Sequence, residues 1–231
     1  MQTAIPCLFM RGGTSRGPFF DEAELPPDIA TRDRVLLAVM GSPDRRQIDG
    51  LGGAHPLTSK AGIVRRSTTA GVDLDFLFAQ LQPDRDTVDT TPNCGNMLAA
   101  VVPFALETGL ADAQGDTTTL RVLTLNTGGR HVAYAGDARI DGVPGSSSPI
   151  TINFLDTAGS VCSGLLPTGR VLDEIGVPGV GRIQATCIDN GMPMVLFRAA
   201  DMGRTGYESA AELNADTELK TRVEALRLAA G

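Results

Sequence analysis

The sequence predicts an α+β fold, on three observations. Short apolar or alternating runs separated by Gly and Pro recur along the whole chain, which is typical of strands. Longer segments with helical spacing are fewer and lie between these runs. The 231 residues, of which 42% are hydrophobic, are enough to bury one large or two small cores. We therefore expect a globular chain with more strands than helices.

Each predicted element follows from its local pattern. Residues 28–40 have acidic side chains early and apolar ones at helical spacing, and Gly41 and Pro43 stop this helix. Residues 97–107 are apolar nearly all round, and Pro103 predicts a kink or an early end. The other helices are predicted at 170–175 and 209–230. Strands are predicted at 5–10, 19–20, 61–64, 75–81, 120–125, 132–134, 150–155, 186–188 and 194–197.

A segment rich in Gly, Pro and Ser, residues 141–149, separates two regions of similar strand content. Such segments are typical of linkers and of crossings between domains. We therefore predict a first domain over residues 1–145 and a second over residues 146–231.

Charge and hydropathy exclude several classes of partner. The net charge of −7, without a run of Lys and Arg, argues against a nucleic-acid surface. No stretch approaches the roughly 18 apolar residues of a membrane-spanning helix, and no signal-peptide pattern opens the chain. We expect a cytoplasmic protein with neither a nucleic-acid nor a membrane partner. A small carboxylate is compatible with this charge, because a few arginines and helix ends can hold one.

Four cysteines are present, and Cys94 has the neighbourhood that suggests chemistry. Their spacing fits neither a disulfide framework nor a metal site. Cys7 and Cys187 lie in strand-like runs, as buried structural thiols do. Cys94 lies where the apolar helix pattern begins, so free backbone N–H groups and the helix dipole favour a reactive thiolate.

Lys60 is the second candidate. Of the 20 basic residues only Lys60 and Lys220 are lysines. Lys220 belongs to a charged amphipathic helix pattern, whereas Lys60 ends the Gly-rich segment 49–60 and precedes a predicted strand. A desolvated lysine can release its proton near neutral pH and an arginine cannot, so a proton-transfer role explains a lysine at this position. A lysine without a special role is the alternative.

A further Gly-rich segment, residues 10–17, follows the first predicted strand. Its glycines free backbone N–H groups, and two hydroxyls and two guanidiniums within it can grip a carboxylate. A plain tight turn explains the composition equally well. The order of residues fits no nucleotide-binding motif.

A lysine and a helix-start cysteine together suit acid–base chemistry on carbon, in which one group removes a proton beside a carbonyl and another delivers a proton elsewhere. This chemistry needs neither a metal nor a cofactor. The competing role for Cys94, nucleophilic attack on an acyl group, normally needs a histidine base. His55 keeps that hydrolase alternative open, whereas His131 lies in an alternating strand pattern that favours a structural role.

Four blocks of the sequence resemble the signature segments of PrpF-type isomerases. They are Met-Arg-Gly-Gly-Thr-Ser-Arg-Gly at 10–17, Asp-Gly-Leu-Gly-Gly-Ala at 49–54, Leu-Thr-Ser-Lys-Ala at 57–61 and Asn-Cys-Gly-Asn-Met at 93–97. Within that family the chain is most similar to 4-oxalomesaconate tautomerases or Δ-isomerases of aromatic catabolism, with 2-methylaconitate and methylitaconate isomerases as alternatives. The resemblance implies a cofactor-independent keto–enol or allylic isomerase of an unsaturated keto-tricarboxylate.

The resemblance also implies a fold and a site. The implied fold is diaminopimelate-epimerase-like: two pseudo-symmetric halves, each a curved sheet around a central helix, with the site in the cleft between them. Lys60 and Cys94 match the family's acid–base pair. The matching substrate-binding positions, taken with their neighbours in the same blocks, are Arg11, Gly12, Gly13, Thr14, Ser15, Ser59, Asn93, Gly95, Asn96 and Met97.

Members of this family are substantially longer, so the resemblance implies that the second half, 146–231, is incomplete in this chain. Two rival functions remain at this point. One is an epimerase that uses two cysteines, for which Cys162 is the flexible-loop candidate, and the other is a non-catalytic binding protein built on part of this fold. The expected partner is a small di- or tricarboxylate. A homodimer is compatible with the sequence but not determined by it.

Overall fold

The computed structural model describes residues 3–127, 130–133, 139, 144–146 and 149–231, with the backbone alone for 130–133. Contacts divide the chain into two units, Met1–Leu155 and Asp156–Gly231. The sequence places the boundary near residue 145, and the contacts place it later because the strand Asn153–Leu155 pairs with a strand of the first unit. The predicted linker at 141–149 lies mostly outside the described residues.

The first unit is built on one eight-stranded mixed sheet. Its strands are β1 (Leu8–Gly12), β2 (Ser15–Asp21), β3 (Lys60–Arg66), β4 (Leu74–Leu81), β5 (Val88–Asp89), β6 (Leu120–Thr124), β7 (Arg130–Ala133) and β8 (Asn153–Leu155). They lie in the order β1-β2-β3-β4-β6-β7-β8, and β5 pairs with β4 beside this path. The pairs β2–β3 and β4–β6 are parallel, and the other pairs are antiparallel.

The helix α1, Ile29–Met40, connects β2 to β3 and packs on one face of this sheet. Asp28 caps its start by accepting the N–H of Thr31 at 2.8 Å, and Gly41 ends it in the left-handed conformation with φ of 78°. The fully or nearly fully buried side chains of this face are Phe20, Leu25, Leu36, Met40, Ala61, Ile63, Ala79 and Leu81.

The opposite face carries the helices α2, Gly95–Leu98, and α3, Val101–Glu107. The sequence predicts one helix over 97–107, and the structure divides it between these two elements. Pro103 explains the division, because it has no N–H to donate to the carbonyl four residues earlier. The disturbance predicted at Pro103 is thus an interruption before it, and the helical pattern continues to Glu107. The largest buried side chains of this face are Phe19, Leu74, Phe76, Phe78, Met97 and Phe104.

The second unit is a three-stranded antiparallel sheet covered by helix. Its strands are β9 (Asp173–Val177), β10 (Gly181–Asp189) and β11 (Pro193–Phe197), and its helices are α4 (Ala210–Ala215) and α5 (Thr217–Ala230). Leu226 of α5 is buried with Val177, Ile183 and Met202 in a small core of this unit. Among the described residues of the chain, no helix has both the length and the apolar character needed to cross a bilayer.

Each predicted strand overlaps a strand of the structure, and Tyr134 at the end of the 132–134 prediction lies outside the described residues. The helix predicted at 170–175 is wrong. That segment leads into β9, in which Asp173 and Val177 are buried and the residues between them are more exposed, as in a strand that packs on one face. The helix predicted at 209–230 is divided at Asp216, whose side chain caps α5.

Candidate active site

Lys60 is the first residue of β3, and the register of the sheet sets the direction of its side chain. Alternate residues of a strand face opposite sides, so Lys60 shares a face with Val64 under α2 and α3, whereas Ile63 faces α1. Its direct partner in the antiparallel strand β4 is Gln80. The sheet therefore carries the Lys60 amine on the side of the helix that begins after Cys94.

The Lys60 side chain is only 8% exposed, and its amine lies among three groups of the first unit. Nζ lies 2.7 Å from Oε1 of Gln80, 3.8 Å from Sγ of Cys94 and 4.8 Å from the centre of the Phe78 ring. A buried charge is costly without such partners, and both an amide oxygen and an aromatic face stabilise an ammonium. The structure thus brings the amine and the thiol into contact.

Cys94 is the residue before the first turn of α2, and Asn93 holds it there. The N–H of Cys94 donates to Oδ1 of Asn93 at 2.9 Å. Nδ2 of Asn93 lies 3.2 Å from the hydroxyls of Thr124 and of Thr127 and donates to them. The Cys94 carbonyl accepts the first intrahelical bond at 3.0 Å, so the N–H groups of 95–97 precede the hydrogen-bonded part of the helix.

The hairpin between β1 and β2 meets this helix start. Nδ2 of Asn96 donates to Oγ1 of Thr14 at 3.0 Å, and its Oδ1 accepts the N–H of Thr14 at 3.4 Å. A Cβ on Gly12 would lie 2.2 Å from the carbonyl oxygen of Asn96, and a Cβ on Gly13 would lie 2.1 Å from its Oδ1. Gly13 also has φ of 52°, which favours glycine. The two glycines therefore allow the hairpin tip to pack directly on the loop of Cys94.

Ser15 and Gly17 follow the hairpin tip on the same face of β2 as Phe19, which is the face of α3. A Cβ on Gly17 would lie 1.9 Å from the carbonyl oxygen of Lys60, so this position admits no side chain without a backbone shift. Ser15 is 2% exposed, and its hydroxyl has no hydrogen-bond partner among the described residues. A buried hydroxyl without a partner costs roughly 1–3 kcal/mol. Substrate binding by Ser15 stays a prediction.

Three predicted substrate-binding residues have side chains that are buried in the protein or, in the case of glycine, no side chain. Ser59 is fully buried and donates its hydroxyl to Oε1 of Gln47 at 2.8 Å. Met97 is fully buried in the core under α2. Gly95 faces the ring of Phe154, which a Cβ would approach to 3.2 Å. Substrate binding at these three positions stays a prediction, and it concerns their backbone groups.

Arg11 and Arg16 are direct partners across the β1–β2 hairpin, and both are exposed. The guanidinium of Arg16 lies 5.4 Å from the centre of the Phe9 ring. Like charges directly opposite one another destabilise a strand pair. In the part of the chain that the structure describes, no ion pair joins either arginine to a carboxylate. Binding of a carboxylate by Arg11 stays a prediction.

His55 has a structural role in the turn that leads to Lys60. Its Nδ1 accepts the N–H of Leu57 at 3.1 Å. The side chain of His131 lies outside the described residues. The contact of Cys94 with Lys60 favours proton transfer over a thiol hydrolase that would need a histidine base. Groups of His, Cys, Asp and Glu able to hold a metal ion are not found among the residues searched, those the structure describes.

Sequence reasoning missed two amide side chains that hold this site together. Gln80 interrupts the apolar strand β4 on the face of Phe78, and this polar residue on a buried face is the signal that could have found it. Asn126 accepts the N–H of Phe78 at 2.9 Å and donates to the carbonyls of Phe78 at 2.8 Å and Thr90 at 2.7 Å. No local pattern marks Asn126, because its partners are distant in sequence.

The fold is that of a known class of isomerases and racemases. A solved methylitaconate Δ-isomerase superposes with a TM-score of 0.81 at 39% identity, over 96% of this chain and 60% of that one. A probable proline racemase from Agrobacterium radiobacter shares the fold at a TM-score of 0.51 and 17% identity, over 93% of this chain and 58% of that one. The predicted diaminopimelate-epimerase-like α+β fold is thereby confirmed.

The chain belongs to the PrpF protein family, whose pattern matches residues 2–231. It is 53% identical to a (4E)-oxalomesaconate Δ-isomerase of Novosphingobium sp., over 99% of this chain and 65% of the relative. It is also 53% identical to a 4-oxalomesaconate tautomerase of Pseudomonas putida, over 100% of this chain and 65% of the relative. The chain thus spans about 65% of the length of these curated relatives.

Proposed function

We propose that this protein is a cofactor-independent isomerase that moves a proton between two positions of an unsaturated keto-tricarboxylate, with 4-oxalomesaconate as the substrate. The observation that carries the proposal is the 3.8 Å contact between Nζ of buried Lys60 and Sγ of Cys94. The two relatives described above, named for reactions of oxalomesaconate, support this substrate. The proposed location is the cytoplasm, as the sequence predicts.

The reaction requires one group that removes a proton beside a carbonyl and one that supplies a proton at a second position. A C–H bond breaks at one carbon, the double bonds shift, and an O–H or C–H bond forms at the other position. No other reactant is needed, because the atoms of the product are those of the substrate. Lys60 exchanges the proton at one carbon, and Cys94 serves the second position or polarises the enolate.

Negative charge develops on the carbonyl oxygen as the proton leaves, and donors fixed in advance lower the barrier. The Ser15 hydroxyl and the backbone N–H groups of 95–97 are the proposed donors. Arg11 and Arg16 are proposed to attract the carboxylates of the substrate that do not react, since a guanidinium pairs well with a carboxylate. These contacts orient the reacting carbon toward the amine and the thiol.

The proposal is tested by following the ultraviolet absorbance of oxalomesaconate during keto–enol conversion by the purified 231-residue chain. In D₂O, mass spectrometry of the product reports deuterium taken from the solvent. Lys60→Met and Cys94→Ala are expected to lower both rates by about 100- to 10,000-fold, the usual contribution of a general acid or base. Lys220→Met is the matched control, because Lys220 is the other lysine of the chain and is exposed.

Wild-type rates of exchange and conversion in both the Lys60→Met and the Cys94→Ala variants contradict the proposed mechanism. Tight binding of oxalomesaconate without turnover by the wild-type chain favours a binding protein instead. Faster turnover of 2-methylaconitate or methylitaconate would replace 4-oxalomesaconate as the proposed substrate. The proposed roles of Lys60 and Cys94 would not change.

A further inference from the structure

Gln80 makes a close contact with the amine of Lys60, and the proposed reaction assigns it no role. Oε1 of Gln80 accepts a hydrogen bond from Nζ of Lys60 at 2.7 Å. The two residues are direct partners in the antiparallel pair of β3 and β4, and such partners lie close together on one face of a sheet. The contact is therefore a consequence of strand register.

Three backbone carbonyls fix the orientation of the Gln80 amide. Nε2 lies 3.0 Å from the carbonyl oxygens of Ser59 and Leu81 and 3.2 Å from that of Pro56, and its two N–H donors are shared among these three acceptors. An amide side chain donates only from its nitrogen and accepts only at its oxygen. Turning the group over would bring Oε1 against three carbonyl oxygens, so the accepting end stays directed at Lys60.

Among the described residues, Gln80 and Cys94 supply the hydrogen-bond acceptors of Nζ. An ammonium group has three N–H donors. Gln80 accepts one of them, Sγ of Cys94 lies 3.8 Å away, and the ring of Phe78 covers the amine from 4.8 Å. An amide oxygen orients the amine and adds no negative charge. A negative charge beside the amine would favour its protonated form. A carboxylate at position 80 would add that charge.

We infer that Gln80 is a positioning residue for Lys60: its anchored amide oxygen aims the amine at the reacting carbon. The kinetic consequences of this role rest on the proposed function. The hydrogen bond between Gln80 and the amine does not depend on the proposed function, because it can be measured without turnover.

The kinetic test is Gln80→Met, which keeps the length of the side chain and removes the amide. Because a small misplacement of a reacting group is costly, kcat for oxalomesaconate should fall by about 10- to 100-fold. KM should stay within about twofold, since the substrate contacts are unchanged. Gln82→Met is the matched control: the same change two residues along the chain, where the side chain makes no hydrogen bond to the described residues.

A second variant, Gln80→Glu, separates positioning from mere structural support. It keeps the shape of the side chain and places a carboxylate beside the amine, which favours the charged form of the amine. The rising limb of its pH–rate profile should therefore move to higher pH than that of the wild type, with part of the activity recovered in alkali. A residue with a merely structural role would lower the rate equally at every pH.

The scarcity of lysine supplies a direct spectroscopic readout. Protein labelled with ¹⁵N-lysine has two side-chain signals, from Lys60 and Lys220. The Lys60 N–H protons held by Gln80 should exchange slowly with water in the wild type and at least about tenfold faster in Gln80→Met, as one hydrogen bond is lost. The Lys220 signal should not change, and it serves as the internal reference.

Faster exchange at Lys60, a lower kcat and an unchanged KM in Gln80→Met support the inference. Unchanged exchange and unchanged kcat overturn it. If Gln80→Met does not fold, the pH–rate profile of Gln80→Glu decides, and a profile that coincides with the wild type overturns the inference. A wild-type chain with a protected Lys60 signal but no turnover contradicts the proposed function and still supports the hold of Gln80 on the amine.

Discussion

Two buried polar groups, one in each unit of the molecule, differ in how the protein satisfies them. In the second unit Asp189 is fully buried, and its carboxylate accepts from the Ser160 hydroxyl at 2.9 Å and from the N–H groups of Val161 and Cys162 at 2.7 Å. In the first unit the Ser15 hydroxyl is almost as deeply buried and has no partner among the described residues. The protein satisfies the carboxylate of Asp189, whereas the described residues offer the Ser15 hydroxyl no hydrogen-bond partner.

This difference separates stability from function. A buried group with all of its partners contributes to folding, and its removal leaves those partners unsatisfied. A buried group without a complete set of partners weakens the fold slightly and keeps its capacity to bind. Substitution of Ser15 should therefore change activity more than stability, and substitution of Asp189 should do the reverse.

The largest effect is expected for Lys60→Met. Turnover should fall by about 100- to 10,000-fold, because a general acid or base is lost. The thermal midpoint should change little, because the gain from removing a buried charge opposes the cost of leaving Oε1 of Gln80 without its donor. Parallel measurement of kcat and of thermal unfolding tests this. Preserved activity with a lower midpoint would make Lys60 a structural residue.

Two glycines, Gly17 in the first unit and Gly176 in the second, differ in the space that a Cβ would have. Gly17→Ala places a Cβ 1.9 Å from the Lys60 carbonyl oxygen, so the strand pair must shift, and overpacking of this kind costs about 1–3 kcal/mol. Gly176→Ala in β9 is the control, because its Cβ meets nothing within 4 Å, and it should change stability by at most about 0.5 kcal/mol. Urea unfolding measures both. Equal effects would show that the close approach at Gly17 is unimportant.

Acid should weaken the second unit through Asp189. The N–H of Cys162 above all, with Val161 and Ser160, holds the pKa of Asp189 below its ordinary value. A carboxyl whose pKa is lower in the folded state contributes stability above the unfolded value of about 3.9 and loses it as the pH falls further. Thermal unfolding from about pH 5 down to about pH 2 should show this loss. Asp189→Asn, which does not ionise, should show a shallower dependence on pH.

The smallest effect on the fold is expected for Ser15→Ala. The variant should be as stable as the wild type or more stable by up to about 1 kcal/mol, because it removes a buried hydroxyl without a partner. KM for oxalomesaconate should rise by about tenfold if one hydrogen bond to the substrate is lost. Steady-state kinetics and thermal unfolding of the same preparation provide the check. A destabilised variant with an unchanged KM would mean that the hydroxyl serves the protein.

The sequence indicated the chemistry of the site better than its geometry. Lys60 is conspicuous because lysine is rare in this chain, and Cys94 because it precedes an apolar helix pattern. Each signal is local. It is the resemblance to PrpF-type isomerases that implies a single acid–base pair formed by Lys60 and Cys94. Their contact depends on the β3–β4 register and on the packing of α2 over the sheet, and neither follows from local patterns.

Gln80 and the segment 170–175 show why the rest could not be predicted. The role of Gln80 depends on which residue faces it across β4 and β3, and a shift of one residue would point it to the other side of the sheet. Residues 170–175 are too few for periodicity to separate helix from strand, and pairing of β9 with Gly181–Ala185 of β10 decides the outcome. Both depend on long-range partners.

Asn126 links the surroundings of the Lys60 amine to those of the Cys94 thiol. It joins the backbone of Phe78, whose ring lies under Lys60, to the carbonyl of Thr90 in the segment that leads to Cys94. Local unfolding that pulls β4 away from Asn126 therefore releases the surroundings of both proton-carrying groups in one event. In mild denaturant, each molecule of this protein should be either fully active or inactive in turnover. Alkylation of Cys94 should therefore increase in parallel with the loss of turnover.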